Sequence, residues 1–177
     1  MSRASKLEVI KNTIKSYPDF PKPGVLFRDI FAVLNEPDVA SLLYEVLCDE
    51  ARSITPPVDC VAGLDARGFL FGTIVAKELN IPFVPIRKKG KLPGSTQSVR
   101  YKLEYGEDEV EIQRGNISTG QTVLVIDDLL ATGGTLTAAV ELIKKCGADA
   151  VCLIVIELTD LQGRKSINAP IHSLVQY

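Results

Sequence analysis

The sequence predicts an α/β fold, a central and mostly parallel sheet flanked by helices, and two observations carry that prediction. Two stretches read strand, helix, strand in turn: VDCVAGL, GFLFGTIVAKEL and FVPIR from Val58, then TVLVIDD, GGTLTAAVELIKKCG and AVCLIVIEL from Thr122. Their strands are apolar throughout instead of alternating, as in a sheet covered on both sides. The right-handed crossover of each such unit makes its strands parallel.

Taken in order, Leu7, Ile10 and Ile14 recur at helical spacing, so the chain should open with an amphipathic helix that closes near Ser16, ahead of Pro18. YPDFPKPGVLFRDI, from Tyr17, holds three prolines and a glycine beside aromatics that need burial, and reads as a structured loop. Leu42, Leu43, Val46 and Leu47 repeat with a helical period, giving a helix from Pro37 to Ile54. Phe71, Val75 and Leu79 share one face of the next helix, and Leu136, Ala139, Val140 and Ile143 share one face of the last. Between the two units lies KKGKLPGSTQSVRYKLEYGEDEVEIQRG. YKLEY and EVEIQ alternate as a β-hairpin does, while Lys88 to Arg100 should form a long exposed loop, a common form for a lid. No internal repeat is visible beyond the two βαβ units.

At 177 residues the chain fits a single domain, 1–177, with a sizeable core. A formal charge of -2 argues against non-specific nucleic-acid binding, which needs an excess of Lys and Arg, so any anion must be held by a local site. Cys48, Cys60, Cys146 and Cys152 match neither a metal-ligand spacing nor a small disulfide scaffold. No signal peptide or membrane-spanning run is evident, which makes the cytoplasm the expected location. His172 is the single histidine, so histidine-based triads are excluded and acid–base work falls to carboxylates.

The strongest chemical signal is VLVIDDLLATGGT, Val123 to Thr135: an apolar strand, two adjacent acids, and a turn of small residues opening a helix. Helix N-termini offer unpaired N–H groups and a positive dipole end, so the turn Ala131, Thr132, Gly133, Gly134 and Thr135 can cradle a phosphate. Asp127 and Asp128 are poor phosphate ligands but good acceptors for neighbouring hydroxyls. A phosphate followed by a diol is a ribose 5-phosphate. The bland alternative is an ordinary strand-to-helix turn whose acids cap the helix.

This stretch resembles the 5-phosphoribosyl-1-pyrophosphate (PRPP) motif of the type I phosphoribosyltransferases. PDFPKPGVLFRDI, GLDARGFLFG, PIRKKGKLPG and LEYGEDEVEIQ resemble, in order, the signature stretches of the adenine-using members. The resemblance implies the type I phosphoribosyltransferase fold, with a small hood at about 1–35 and a flexible β-hairpin lid at about 88–114. It implies transfer of ribose 5-phosphate from PRPP to adenine, giving AMP and pyrophosphate in purine salvage. A cytoplasmic homodimer is expected, using Mg2+ held mainly by PRPP and no firm protein ligand. Two rivals share the PRPP motif: an enzyme for hypoxanthine, guanine or xanthine, and a catalytically silent PRPP-binding regulator. The flanking stretches disfavour the first, and the absence of a basic face or DNA-binding extension disfavours the second.

The resemblance also assigns roles. Asp65, Ala66 and Arg67 form the turn expected to hold pyrophosphate, with a cis peptide near Ala66; a surface Asp65–Arg67 ion pair is the alternative. Arg87, Lys88 and Lys91 would add charge-assisted bonds to the departing group. Glu104 is the candidate general acid or base, since attack by adenine N9 requires proton traffic, and Tyr105 would help the lid shut. Leu26 and Phe27 offer apolar faces to a purine, Arg28 would read its edge, and Leu129 and Leu158 would close the opposite face. For those apolar residues a plain core role is the alternative.

Overall fold

Ser2 caps the first helix, α1 (Arg3–Thr13), its hydroxyl accepting from the Ser5 N–H at 3.2 Å. The structure is a computed structural model that describes residues 1–102 and 107–177, and it divides into two compact units, Met1–Asp49 and Glu50–Tyr177. α1 ends before the expected Ser16 because the chain there becomes a strand, β1 (Lys15–Pro18), antiparallel to β2 (Leu26–Asp29). The proline-rich stretch is thus a two-stranded ribbon rather than only a loop. Its prolines fall at the end of β1 and in the connection, where a missing N–H interrupts no ladder. Phe20 packs edge-on against Phe27, their rings 5.0 Å apart. A short helix α2 (Phe31–Leu34) leads into α3 (Pro37–Ser53), which buries Leu43, Val46 and Leu47 as its periodicity requires.

The second unit runs β3 (Cys60–Leu64), α4 (Gly68–Leu79), β4 (Phe83–Lys88), β5 (Thr96–Lys102), β6 (Glu107–Gln113), β7 (Thr122–Leu130), α5 (Gly134–Lys145), β8 (Asp149–Glu157) and β9 (Ile171–Gln176). Two 3-10 turns, Thr159–Leu161 and Gly163–Ser166, lie between β8 and β9. The strands form one sheet in the order β5-β6-β4-β3-β7-β8-β9. Those from β4 to β9 pair in parallel, and β6 is antiparallel to both its neighbours. Alternate residues serve the two faces. Cys60, Ala62, Leu64, Val123 and Val125 join Leu136, Ala139, Val140 and Ile143 of α5 in one core. On the other face Phe83 and Ile126 close on Gly72 of α4. No helix among the described residues is long and apolar enough to cross a membrane.

One further element departs from the sequence expectation, and another was not anticipated at all. The exposed loop expected from Lys88 to Arg100 is shorter, because β5 pairs with β6 from Thr96↔Gln113 to Lys102↔Glu107. Among the described side chains of Thr96–Tyr101 only Val99 is deeply buried, so an edge strand covered by α5 on one side shows little alternation. β9 was also illegible, with only Leu174 and Val175 buried.

Candidate active site

β3 and β7 lie side by side, and their crossovers leave in opposite directions, β3 to β4 and β7 to β8. Ligands of open α/β sheets bind in the crevice that such a reversal opens beyond the strands' carboxyl ends. The two motifs meet there. Gly63 pairs with Ile126, so the Asp65–Arg67 turn leaves β3 beside the acid pair of β7. Gly68 opens α4 in contact with that strand; a Cβ added to it would lie 2.5 Å from the Ile126 carbonyl oxygen. Arg67 Nε donates to Asp128 Oδ2 at 2.8 Å, and Arg87 Nε donates to Asp65 Oδ2 at 2.9 Å. The alternative Asp65–Arg67 pair therefore does not form, since each residue has another partner. The Asp65–Ala66 peptide is cis.

Ala131 to Thr135 turn the chain from β7 into α5. Gly133 is the N-cap with φ +86°, a left-handed conformation that favours glycine, and the N–H groups of the first helical turn have no partner within the helix. This loop is braced from outside the motif. A Cβ on Gly163 would lie 2.2 Å from the Ala131 oxygen, and one on Gly133 would lie 2.6 Å from the Gly163 oxygen. The Gly163–Ser166 turn is itself fixed by Arg164, which donates to both oxygens of the buried Glu157 at 2.9 and 2.6 Å and to the Ile171 oxygen at 2.8 Å. That guanidinium holds the Glu157 carboxyl below the usual range.

Asp128 is 4% exposed and Asp127 is half-buried. Burial raises the pKa of both. For Asp127 the neighbouring Asp128 charge adds to the rise, whereas for Asp128 the Arg67 charge opposes it. A carboxyl with a raised folded-state pKa stabilises the fold below its unfolded value and loses that contribution as pH climbs through the folded value. The ionised pair therefore costs stability at neutral pH. Asp127→Asn should accordingly match or exceed the parent in thermal midpoint at pH 7, with the advantage shrinking toward pH 4; each pK unit of elevation corresponds to about 1.4 kcal/mol. A variant less stable at pH 7 than at pH 4 relative to the parent would contradict the sign.

Two cavities of about 230 Å³ each occupy the crevice. Arg67, the acid pair, Leu129 and the loop to Leu136 line one. Asp65, Arg87, Lys88, Tyr101 and Asp108 line the other, and Thr135 belongs to both. Lys88 Nζ pairs with Asp108 at 2.8 Å, which raises the ammonium pKa and lowers that of the carboxyl. Tyr101 Oη donates to Asp108 Oδ2 at 3.3 Å. Lys91 is exposed, and its carbonyl accepts from Arg87 Nη1 at 3.3 Å. Leu158 lies just beyond, its N–H bonded to the Leu130 oxygen at 2.9 Å. Leu26, Phe27 and Arg28 are on β2 of the first unit, where Arg28 donates to Ser16 Oγ at 2.6 Å. Glu104 and Tyr105 fall outside the described residues.

Residues 34–175 match the Phosphoribosyl transferase domain family. An adenine phosphoribosyltransferase of Drosophila pseudoobscura pseudoobscura is 48% identical over 100% of this chain and 98% of its own. The chain belongs to the adenine phosphoribosyltransferases. Solved members agree in fold. The Thermoanaerobacter pseudethanolicus protein has a TM-score of 0.91 at 43% identity, over 97% of this chain and 99% of that one. The Saccharomyces cerevisiae protein, crystallised with an imino-altritol bisphosphate and adenine, has a TM-score of 0.90 at 39% identity over the same shares.

Several residues that line the cavities of this adenine phosphoribosyltransferase chain or brace its loop are not among the expected site residues. Tyr101 and Asp108 stand at the hairpin stem, and a strand reading begun at Thr96 would have placed Tyr101 on the same face as Val99. Gly163 and Arg164 sit in LQGRKS, which carries no periodic signal at all.

Proposed function

We propose that the protein transfers ribose 5-phosphate from PRPP to N9 of adenine, releasing pyrophosphate and forming AMP for purine salvage. The observation that carries the reading is the pair of cavities sharing Thr135, one lined by paired acids and a glycine-rich helix start, the other by Arg87 and Lys88, each held by a carboxylate, Asp65 and Asp108. One suits a phosphate and diol, the other a pyrophosphate.

On this reading the 5-phosphate takes the N–H groups of Ala131 to Thr135, and the ribose hydroxyls donate to Asp127 and Asp128. Arg67, Arg87, Lys88 and Lys91 bind the pyrophosphate. The C1–oxygen bond breaks with its electron pair leaving on pyrophosphate, and the cationic ribosyl centre is stabilised by the surrounding acids. The N9 lone pair then forms the new bond from the opposite face, and Glu104 accepts the N9 proton. Leu129 and Leu158 would hold the base, while Tyr105 and the hairpin over 88–114 would exclude water as a competing nucleophile. Among the described residues no cluster of three or more Asp, Glu, His or Cys forms a metal site, but Asp65, Asp127 and Asp128 are oxygen donors of the kind Mg2+ takes. Mg2+ brought by PRPP would neutralise charge on the leaving group. A hood over residues 1–35, a homodimeric state and a cytoplasmic location belong to the same proposal.

Radiolabelled adenine, hypoxanthine and guanine, each incubated with PRPP and Mg2+, test it together. AMP and pyrophosphate from adenine alone are expected. Turnover of another base in its place would reassign the substrate, and no turnover with PRPP still bound would favour a regulator.

A further inference from the structure

Glu111, on β6 opposite Arg87 of β4, is 3% exposed although charged. Its Oε1 accepts three backbone N–H groups, from Gly90 at 2.9 Å and from Lys91 and Leu92 at 3.1 Å each. Successive amides converging on one point make an anion-binding nest, and bonds to an ionised acceptor are about twice as strong as neutral ones. Here a carboxylate of the chain itself fills the nest. Lys89, Gly90 and Lys91 are all exposed and Gly90 holds φ +83°, so apart from the Lys89 N–H on the Glu109 oxygen at 2.9 Å and the Lys91 N–H on the Lys88 oxygen at 3.3 Å the Glu111 carboxylate is what gathers the amides of this turn. Arg87 extends the arrangement, with Nη1 on the Lys91 oxygen and Nε on Asp65.

We infer that Glu111 is a positioning residue for pyrophosphate, fixing the turn after β4 so that Arg87, Lys88 and Lys91 converge on the leaving group. This rests on the reading above that the basic segment takes pyrophosphate. Glu111 touches no substrate; it acts through the turn. A nest filled from within the protein also means that pyrophosphate meets side-chain cations here and finds the amides already engaged.

The test measures KM for PRPP and for adenine, and binding of Mg2+-pyrophosphate and of AMP, in full-length variants. Glu111→Ala should raise the PRPP KM and the pyrophosphate Kd about tenfold, the loss of roughly one charge-assisted hydrogen bond, with adenine and AMP within about twofold of the parent. Glu111→Gln keeps an acceptor oxygen and should recover most of the loss. Gly90→Ala strains the turn from the solvent side, where an added Cβ meets nothing within 4 Å, and should reproduce the same selectivity should Glu111→Ala fail to fold. Pyrophosphate binding unchanged in the folded variants, or a loss shared equally by adenine and AMP, overturns the inference. Lys91→Ala separates the two levels. If it weakens pyrophosphate while the Glu111 and Gly90 variants do not, the positioning role fails and the reading of the basic segment stands. If Lys91→Ala and Arg87→Ala both leave pyrophosphate binding intact, that reading fails and takes the inference with it.

Discussion

Asp128→Asn should leave the protein folded and lower kcat/KM for PRPP on the order of 100-fold, the value of one hydrogen bond to a charged group at about 2–3 kcal/mol. The fold tolerates the change for two reasons. Asparagine keeps a carbonyl oxygen to accept from Arg67 Nε, which lies 2.8 Å from Asp128 Oδ2 in the parent. It also removes a charge that burial disfavours, so the thermal midpoint at neutral pH should not fall. On the proposed assignment chemistry should not tolerate it, because the buried oxygens would accept from the ribose hydroxyls and supply the negative charge facing the ribosyl cation. Unchanged kinetics with a normal melt would remove Asp128 from the reaction.

Gly163→Ala should cost about as much, from outside the motif. Its Cβ would sit 2.2 Å from the Ala131 oxygen and 2.9 Å from the Gly133 nitrogen, all backbone atoms that no rotamer change can move. The Gly163–Ser166 turn cannot retreat easily, since Arg164 ties it to Glu157 and to the Ile171 oxygen. The loop from Ala131 to Thr135 must therefore shift, and misplacement of a binding group by about 1 Å can cost about 100-fold in rate. The PRPP KM should bear most of the loss, with a stability decrease of about 1–3 kcal/mol from overpacking. A normal PRPP KM in a folded Gly163→Ala protein would show that the turn does not brace the loop.

These two residues mark where the sequence was readable and where it was not. Asp128 stands in a continuous stretch whose apolar strand, acids and glycines each have a local physical meaning, so its place between the end of a strand and the start of a helix could be read before any coordinates. The same holds for α4, which begins at Gly68 and ends at Leu79 as its periodicity required. Gly163 has no local meaning. Its importance comes from the approach of two backbones distant in sequence, which no pattern within a window encodes. β5 and β9 fail for a related reason: edge strands bury one or two side chains each, too few for alternation to rise above the polar background. The ion pairs of Asp65 with Arg87 and of Arg67 with Asp128 were open for the same cause, since nearest charges in sequence are not nearest in space.

Thr135 stands in the wall common to both cavities. A molecule with two anionic heads joined by a tether long enough to reach past that threonine would need only one encounter to engage both chambers. Its second head would then face an effective concentration in the millimolar range for a short flexible tether. Two separate monoanions, each free to dissociate alone, gain no such chelate advantage, so inhibitors of this protein should be sought among linked bis-anions.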